Sequence, residues 1–337
     1  MYKICKELKK VLLVIFIYLA TFFGCEVDPR IQLPECPTLE ELLLYVYGEP
    51  DENSIGGGIE FIKPDSGATF VAYNPINENQ IICYYSGYFT DYKSSLVTYD
   101  LYTGVFSSIL VDPSLFSFPE ISPNGWLLLT LSDSQIWKVK IDGDSITKLT
   151  AGGLNSNYTW SPDSESFIYS TTALSGISRV LLADKNGNTI YYFPEDFIIK
   201  KPTWSSDGKL IAYIKENNMD INIINTDTWE AENLIHVSGE YDINEAILDI
   251  QFYPDSKSIL WSTQTALKRT NVSTGQTEII SSTCDSKGYS IFDISLDGNS
   301  IITKRVFYEV YDENNIILSS KFFICDTEGN IQNAVLF

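Results

Sequence analysis

Histidine and arginine are scarce in this chain, and their scarcity excludes several classes of function. The 337 residues contain one histidine, His236, and four arginines, Arg30, Arg179, Arg269 and Arg305. A metal site built on several histidines is excluded by this count alone. Nucleic-acid binding depends on basic side chains that neutralise phosphates. With 23 basic against 44 acidic residues and a net charge of -21, the sequence predicts no nucleic-acid partner, no metal and no cofactor.

The first 24 residues have the pattern of an export signal. Four lysines within the first ten residues precede an uninterrupted run of thirteen mostly apolar residues, from Val11 to Phe23. At a helical rise of about 1.5 Å per residue the run spans about 20 Å, short of the roughly 30 Å hydrocarbon core of a bilayer. Residues 1–24 are therefore predicted to be a signal peptide rather than a membrane span.

Gly24 and Cys25 end this run, and a small residue directly before a cysteine at this place resembles the lipobox of bacterial lipoproteins. The pattern departs from most lipoboxes at Phe22, where leucine is usual. The resemblance implies that Cys25 is lipidated and holds an envelope protein to the membrane through its lipid alone. The alternative is an ordinary secretory signal with an incidental Cys25. Five prolines interrupt residues 25–65, which predicts a mostly irregular linker.

A repeat of about 45 residues begins near residue 66 and fills the rest of the chain. Windows such as W-S-P-D-S-E-S-F-I-Y-S and W-S-S-D-G-K-L-I-A-Y-I recur in register, starting at Trp160, Trp204 and Phe252, with weaker copies at Tyr73, Ile121 and Ile294. The intervals between equivalent turn positions are 48, 39, 44, 48 and 42 residues. The chain therefore contains six similar units.

Each unit has the pattern of four short antiparallel strands. One strand leads into the Pro-Asp-Gly-type turn, an apolar strand follows, a third ends in a polar turn, and a fourth closes the unit. Such units are typical of propeller blades. We therefore predict an all-β fold, a six-bladed β-propeller with blades at residues 66–112, 113–151, 152–195, 196–238, 239–282 and 283–337. The aromatic residue that begins a repeat, as at Trp160 and Trp204, is expected to pack between neighbouring blades.

The turn, followed by an apolar strand and then a D-G or T-G turn, resembles the repeat of TolB-type propellers across about residues 66–337. The resemblance implies six blades around a channel and a secreted protein whose role is usually to bind. The chain departs from the periplasmic translocation protein of that family, because residues 26–65 are too few for a separate α/β domain.

Few catalytic arrangements are compatible with this sequence. No G-x-S-x-G nucleophile elbow occurs, and a Ser-His-Asp triad would need His236, which is expected to be structural in the fourth strand of blade 4. Glycoside hydrolysis by two carboxylates stays open, because 44 acids allow many pairs. A pair within about 5 to 9 Å at the channel mouth, beside aromatic rings, would favour that alternative. A scaffold predicts scattered acids instead.

Two pairs of cysteines have different expected roles. Cys83 and Cys325 lie in apolar strands and are predicted to be buried thiols. Cys36 in the linker and Cys284 in the loop that enters blade 6 are the candidate pair for a disulfide, which would hold the linker under the ring.

One set of loops is expected at the channel mouth. The connections from second to third strands, and from each fourth strand to the next blade, share one face of a propeller. Candidate binding residues in these loops are Tyr88, Asp91, Tyr92, Phe116, Glu195, Asp196, Tyr241, Asp242, Tyr289, Tyr311 and Asp312. Tyrosine offers rigid apolar area with a polar tip, which suits protein, peptide or glycan partners. We expect a monomeric, non-catalytic envelope scaffold; the alternative is a carbohydrate-active enzyme at the channel.

Overall fold

The computed structural model describes residues 68–85, 94–112, 115, 117–194, 197–237, 245–282, 289–312 and 315–335. Within them the chain forms twenty-four β-strands in six four-stranded antiparallel sheets. In every sheet the strands follow one another in chain order. The predicted all-β six-bladed propeller is therefore confirmed. No helix among these residues is long and apolar enough to cross a membrane.

Each blade is a meander of four consecutive strands. Blades 1 to 3 contain β1 (Ala68–Tyr73), β2 (Gln80–Tyr85), β3 (Ser94–Asp100), β4 (Phe106–Asp112); β5 (Glu120–Ile121), β6 (Trp126–Thr130), β7 (Ile136–Lys140), β8 (Ile146–Lys148); and β9 (Leu154–Trp160), β10 (Ser166–Thr172), β11 (Ser178–Asp184), β12 (Thr189–Tyr192). Blades 4 to 6 contain β13 (Lys200–Trp204), β14 (Leu210–Ile214), β15 (Asp220–Asn225), β16 (Ala231–His236); β17 (Asp249–Phe252), β18 (Ser258–Ser262), β19 (Ala266–Asn271), β20 (Thr277–Ser282); and β21 (Tyr289–Ile294), β22 (Ser300–Asp312), β23 (Asn315–Asp326), β24 (Ile331–Val335).

The first strands of the blades form the inner ring. Strand β9 contacts β5 and β13, β17 contacts β13 and β21, and β21 contacts β1. At the seam between blades 6 and 1, the backbone N–H of Tyr73 donates to Asp293 Oδ2 over 2.6 Å. Val71 of blade 1 packs in one cluster with Ile302 and Phe322 of blade 6. The ring thus closes through packing and hydrogen bonding, and none of the described strands is shared between blades 6 and 1.

The repeated turn is held by its serine. The Ser205 hydroxyl donates to Asp207 Oδ1 over 2.8 Å and accepts the backbone N–H of Leu210 over 2.9 Å. Its hydrogen bond holds the pKa of the Asp207 carboxyl below its usual range. The same hydroxyl contacts recur at Ser161 and Ser295. The motif therefore encodes a local turn, which explains why it recurs in register.

Aromatic residues fill the interfaces between blades, as predicted. Trp160 is 4% exposed and packs with Leu128 and Ile136 of blade 2. Trp204 is half-buried against the cluster that joins blades 3 and 4. Cys83 and Cys325 are buried, also as predicted.

A tryptophan with a left-handed backbone conformation packs between blades 3 and 4. Trp229 has a φ of +60°, in a turn where blades 1 and 5 carry Gly104 and Gly275. This conformation costs a residue with a Cβ about 1–2 kcal/mol. Trp229 stacks on Tyr191 with centroids 5.4 Å apart and meets Phe193 edge-on at 5.4 Å. The aromatic contacts between the two blades offset the backbone strain.

Glycine allows close approach between neighbouring blades. A Cβ added at Gly187 of blade 3, where φ is +88°, would collide with the backbone oxygen of Leu149 in blade 2. Gly143 faces the backbone of Ile109 in the same way, and Gly329 faces that of Ile280. These glycines lie in turns that follow the third strand of a blade and contact the end of the preceding blade. The backbones of these blades therefore touch without an intervening side chain.

We predict that Gly187→Ala lowers the free energy of unfolding by at least about 2 kcal/mol more than Gly176→Ala, because overpacking adds to the cost of the left-handed backbone. Gly176 is the matched control, since its φ is +85° and no atom lies within 4 Å of an added Cβ. Urea unfolding followed by tryptophan fluorescence measures both. Equal losses in the two variants would contradict the close approach of blades 2 and 3.

Candidate functional site

The inner strands bring a layer of polar side chains to the channel. Thr159 Oγ1 of blade 3 donates to Glu120 Oε1 of blade 2 over 2.8 Å. Gln251 Nε2 of blade 5 donates to Asp293 Oδ1 of blade 6 over 2.6 Å. Each of these residues directly precedes the first residue of its repeat. Because the same position recurs in every blade, these side chains lie at one level of the ring and bond from blade to blade.

Lys201 of blade 4 lies two residues before this position on its inner strand, and its side chain reaches across the channel. Its Nζ lies 3.5 Å from Asp249 Oδ1 of blade 5 and 5.9 Å from the ring centroid of Phe118 in blade 2. Blades 2 and 4 are not neighbours, so this reach crosses the interior of the ring. Lys201 has a φ of +47° and lies where β13 shifts register between Lys200 and Thr203. Such a bulge redirects a side chain, here toward the axis.

Burial raises the pKa values of the three inner carboxyls. The pKa of Glu120 rises to about 8, mainly because burial penalises its charge, and the negative charges of Asp293 and Asp249 add to the rise. Burial also raises the pKa of Asp293 to about 6, against hydrogen bonds that favour its charged form. The pKa of Asp249 rises for the same reason, and the nearby Lys201 opposes the rise. The side chain of Asp249 is 15% exposed.

This arrangement is an axial charge cluster, which we define as Glu120, Lys201, Asp249 and Asp293. At neutral pH Glu120 holds its proton, so it can donate as well as accept. Each carboxyl already contacts a donor from the protein: Thr159, Lys201, or Gln251 with the Tyr73 N–H. Among the described residues, no three acidic, cysteine or histidine side chains are grouped to hold a metal ion. The axial charge cluster can therefore exchange protons and bind polar groups.

The cluster was not predicted from the sequence, although a signal was present. The position directly before each repeat carries Ala72, Glu120, Thr159, Thr203, Gln251 and Asp293. Aligning the six copies shows that this position is polar in five of six blades and acidic in two. The converging acids are also unlike the scattered acids expected of a scaffold.

Most of the predicted mouth residues lie outside the described residues, as do Cys25, Cys36 and Cys284. These mouth residues are Tyr88, Asp91, Tyr92, Phe116, Glu195, Asp196, Tyr241 and Asp242. Tyr289 begins β21, and Tyr311 and Asp312 end β22 rather than lying in a loop. All three occur at strand ends on the predicted mouth side. Their role in binding stays a prediction.

A two-stranded ribbon extends from blade 6 at that side. Strand β22 pairs with β21 only as far as Arg305, and β24 pairs with β23 only between Phe322 and Cys325. Beyond those residues β22 and β23 pair with each other alone, as far as Asp312 opposite Asn315. At about 3.3 Å per residue the extra length is about 20 Å. We call residues 306–312 and 315–320 the blade 6 ribbon.

The mouth side of blade 3 exposes three apolar side chains. Leu174 in the connection between β10 and β11 is 96% exposed, and its neighbour Ile177 is 52% exposed. Leu154 at the start of β9 is 55% exposed and is paired with Thr172 of β10. We call Leu154, Leu174 and Ile177 the blade 3 tip. Single exposed apolar residues are ordinary, but three at one strand end form a local contact surface.

His236 ends the fourth strand of blade 4, as predicted. Its Nδ1 lies 2.6 Å from Asp220 Oδ1, and Asn217 Nδ2 donates to the other oxygen of Asp220. The imidazole is 63% exposed. The pKa of Asp220 is lowered, since hydrogen bonds from Asn217 and His236 outweigh its burial. The histidine thus supports a buried carboxylate, which agrees with the expected structural role.

Comparisons with known proteins extend the fold assignment. No protein-family model matches the chain. The structure of a protein provisionally assigned as TolB from Agrobacterium tumefaciens superposes with a TM-score of 0.57 at 21% identity, covering 72% of this chain and 90% of that one. An oligogalacturonate lyase from Vibrio parahaemolyticus superposes with a TM-score of 0.46 at 16% identity, covering 59% and 64%. The first of these likenesses shows a TolB-like propeller fold.

One curated relative matches in sequence. An uncharacterized protein of Agrobacterium fabrum is 26% identical over 156 residues, which are 44% of this chain and 53% of the relative. The match therefore spans about half the length of that relative.

We predict that stability falls as the pH rises from about 5 to 8. Glu120 keeps its proton in the folded chain up to a pKa of about 8 but loses it near pH 4.5 when unfolded. The unfolded state then binds fewer protons, so the free energy of unfolding decreases by up to about 1.4 kcal/mol per pH unit. Asp293 adds to this decrease below pH 6.

Urea unfolding at pH 6, 7 and 8 measures this slope. Glu120→Gln mimics the protonated carboxyl and should flatten the slope and stabilise the chain at pH 8. Glu328→Gln removes an exposed carboxylate and should leave the slope unchanged. A wild-type slope of zero, or one that persists in Glu120→Gln, would contradict a protonated Glu120.

Proposed function

We propose that this chain is a non-catalytic envelope lipoprotein, anchored through Cys25, whose propeller binds a protein, peptide or glycan partner at the channel mouth. The leader and Cys25 support the location, and the TolB-like fold agrees with a binding role. The blade 6 ribbon is the observation that carries the proposal. The ribbon has no further strand beside it in the described part of the chain.

A two-stranded ribbon is marginally stable in water on its own. The blade 6 ribbon contains the apolar residues Val306, Phe307, Val310, Ile316, Ile317 and Leu318. A partner that lies against it would hold its two strands in place. The ribbon therefore gains stability from binding, which is typical of an element that contacts a partner.

The blade 3 tip supplies a second contact on the same side. In a ring of six, blades 3 and 6 lie on opposite sides of the axis. A partner seated over the mouth would contact the ribbon at one edge and Leu174 at the other. Lys201 lies in the channel below that level, 3.5 Å from Asp249, and the charges of Asp249, Asp293 and Lys201 act on Glu120 there. Because these side chains occupy the channel, a partner that binds over the mouth is favoured over one that passes through the channel.

Affinity capture from envelope extract, with residues 25–337 as bait, tests this proposal. We predict that Leu174→Asp lowers recovery of the main captured partner at least tenfold, because a carboxylate replaces apolar contact area. Leu296→Asp is the matched control: Leu296 is 57% exposed, but it lies in a Pro-Asp-Gly-type turn on the opposite face. Its recovery should equal that of the wild type. Equal recovery in all three proteins would exclude the blade 3 tip from the interface.

A second candidate function rests on the raised pKa of Glu120. A carboxyl that keeps its proton at neutral pH, with other carboxyls in the same channel, has the features of a general acid in glycoside cleavage. If the chain is such an enzyme, the wild type releases reducing ends from an oligosaccharide mixture and Glu120→Gln does so at least a hundredfold more slowly. If the folded wild type binds glycans but releases no reducing ends from them, the enzymatic role is contradicted and the binding role remains.

A further inference from the structure

The turns on the face opposite the channel mouth differ between the two halves of the ring. In each four-stranded meander the turn from first to second strand and the turn from third to fourth strand lie at this end, and we call them the base turns. In blade 1 the two are joined directly, since the backbone N–H of Leu101 donates to the backbone oxygen of Asn79 over 2.9 Å. The same bond occurs in blades 2 to 5, donated by Ile141, Lys185, Thr226 and Val272. Each of these blades therefore presents its two base turns as one surface.

Blade 1 exposes apolar side chains at its base turns. Tyr102 is 84% exposed, and Ile76 and Val105 are 57% exposed each. Phe106, which begins β4 directly after the second turn, is 45% exposed. Among the described residues, no other blade exposes more than one large apolar side chain in its base turns. We call Ile76, Tyr102, Val105 and Phe106 the blade 1 base patch.

The turn that carries this patch is held by its own hydrogen bonds. The Asp100 carboxylate accepts the backbone N–H of Thr103 over 2.8 Å and that of Tyr102 over 3.1 Å. These bonds hold the pKa of Asp100 below its usual range. The ring of Phe106 lies 4.7 Å from that of Tyr99, between centroids. An apolar surface on an ordered turn loses less conformational entropy on binding than one on a flexible loop.

The base turns around the patch are acidic. Those of blades 6, 1 and 2, residues 295–299, 327–330, 74–79, 101–105, 122–125 and 141–145, contain no lysine or arginine. Their five acidic residues are Glu78, Asp142, Asp144, Asp297 and Glu328. The base turns of blades 3 to 5 carry three lysines, Lys185, Lys209 and Lys257, among six acidic residues. The patch thus lies in the half of the base where no basic residue of a turn balances the acids.

Most of these acids are available to a partner. Asp142 pairs with Lys140 of β7 over 2.7 Å, but the other four have no ion-pair partner among the described residues. All four are exposed. Asp144 also lies close to blade 1, because a Cβ on its neighbour Gly143 would be 2.7 Å from the backbone oxygen of Ile109. The patch therefore has uncompensated negative charge beside it in its own blade and in both neighbouring blades.

This charge decides between the possible occupants of the patch. The chain's own linker, residues 26–65, contains ten acidic and two basic residues. A second copy that used the same surface would bring the same acids, and an anionic lipid surface is negative as well. Like charges that face each other across an interface oppose binding. A basic partner gains attraction instead, and a lysine or arginine can also lie over the exposed ring of Tyr102.

We propose that the blade 1 base patch binds a basic amphipathic segment of a protein partner. Its apolar side chains would contact Tyr102 and Val105, and its lysines or arginines would face the acids of the surrounding turns. The proposal does not depend on a partner at the channel mouth, because the two surfaces are on opposite faces of the ring. Both could be occupied at the same time.

Isothermal titration of the mature protein, residues 25–337, tests the partner chemistry with three synthetic peptides of equal length. One alternates lysine with leucine, one lysine with serine, and one glutamate with leucine. We predict that the lysine–leucine peptide binds at least tenfold more tightly than either of the others, and less tightly as salt is added. Equal binding of the lysine–serine peptide would reduce the effect to general charge attraction and overturn the proposal. Equal binding of the glutamate–leucine peptide, or no binding of any, would overturn it as well.

Apolar variants locate the surface. Tyr102→Ser combined with Val105→Ser should lower the affinity for the lysine–leucine peptide at least tenfold, because the apolar contact is lost. Leu174→Ser is the matched control, since Leu174 is 96% exposed but lies on the mouth side. Its affinity should equal that of the wild type. Unchanged affinity in the double variant would overturn the proposal. So would dimerisation of the wild type that the double variant abolishes, or cross-linking of position 102 to the linker, since either identifies another occupant.

Charge variants test the surrounding acids with all side chains at exposed positions. Glu78→Gln combined with Asp144→Asn should lower the affinity for the lysine–leucine peptide about threefold or more at low salt. Asp227→Asn combined with Glu230→Gln removes the same two charges from a base turn of blade 4 and should have a smaller effect. Equal losses in the two charge variants would show that the net charge of the chain, rather than this half of the base, attracts the peptide, and would overturn the proposal.

Discussion

Six blades have to complete one full turn, and in the described part of this chain hydrogen bonds and apolar packing close that turn. Blade 6 is built from its own four strands, so the seam to blade 1 depends on Asp293, the Tyr73 N–H and the packed cluster around Val71. Any error in the angle between blades accumulates around the ring and appears at this seam. Turn glycines such as Gly187 limit the error, since backbone contact fixes the spacing more narrowly than flexible side chains do.

Closure of the ring also explains why charged side chains of different blades lie close together on the axis. Six inner strands converge on a narrow space, so any polar residue at their shared level meets polar residues of other blades. Hydrogen bonds satisfy several of these groups, but burial penalises the charge of Glu120, Asp293 and Asp249 add to that penalty, and the folded chain retains a proton on Glu120. Buried groups of like charge are a cost to stability. Because the ring geometry holds these groups close together, their protonation, and with it the stability of the ring, depends on pH.

The blades could be predicted from the sequence because their signals are local. The Ser205 turn needs only neighbouring residues, and Trp160 follows from its place in the repeat. The axial charge cluster could not be predicted in the same way, because Lys201 reaches blade 2 only once the ring has closed and its backbone has turned left-handed. Convergence of distant strands, rather than residue type, separates the two outcomes.

Each sheet is one uninterrupted stretch of chain, and this arrangement has a consequence for the order of the blades. Blades 1 and 6 are the first and last sheets along the chain, so the seam between them differs from the other five junctions in having no direct chain connection. A circular permutant that joins blade 6 to blade 1 and opens the chain between blades 3 and 4 would keep every strand pair. The folded ring therefore has no structurally defined first blade. The same propeller could form from chains in which the blades follow one another from a different starting point.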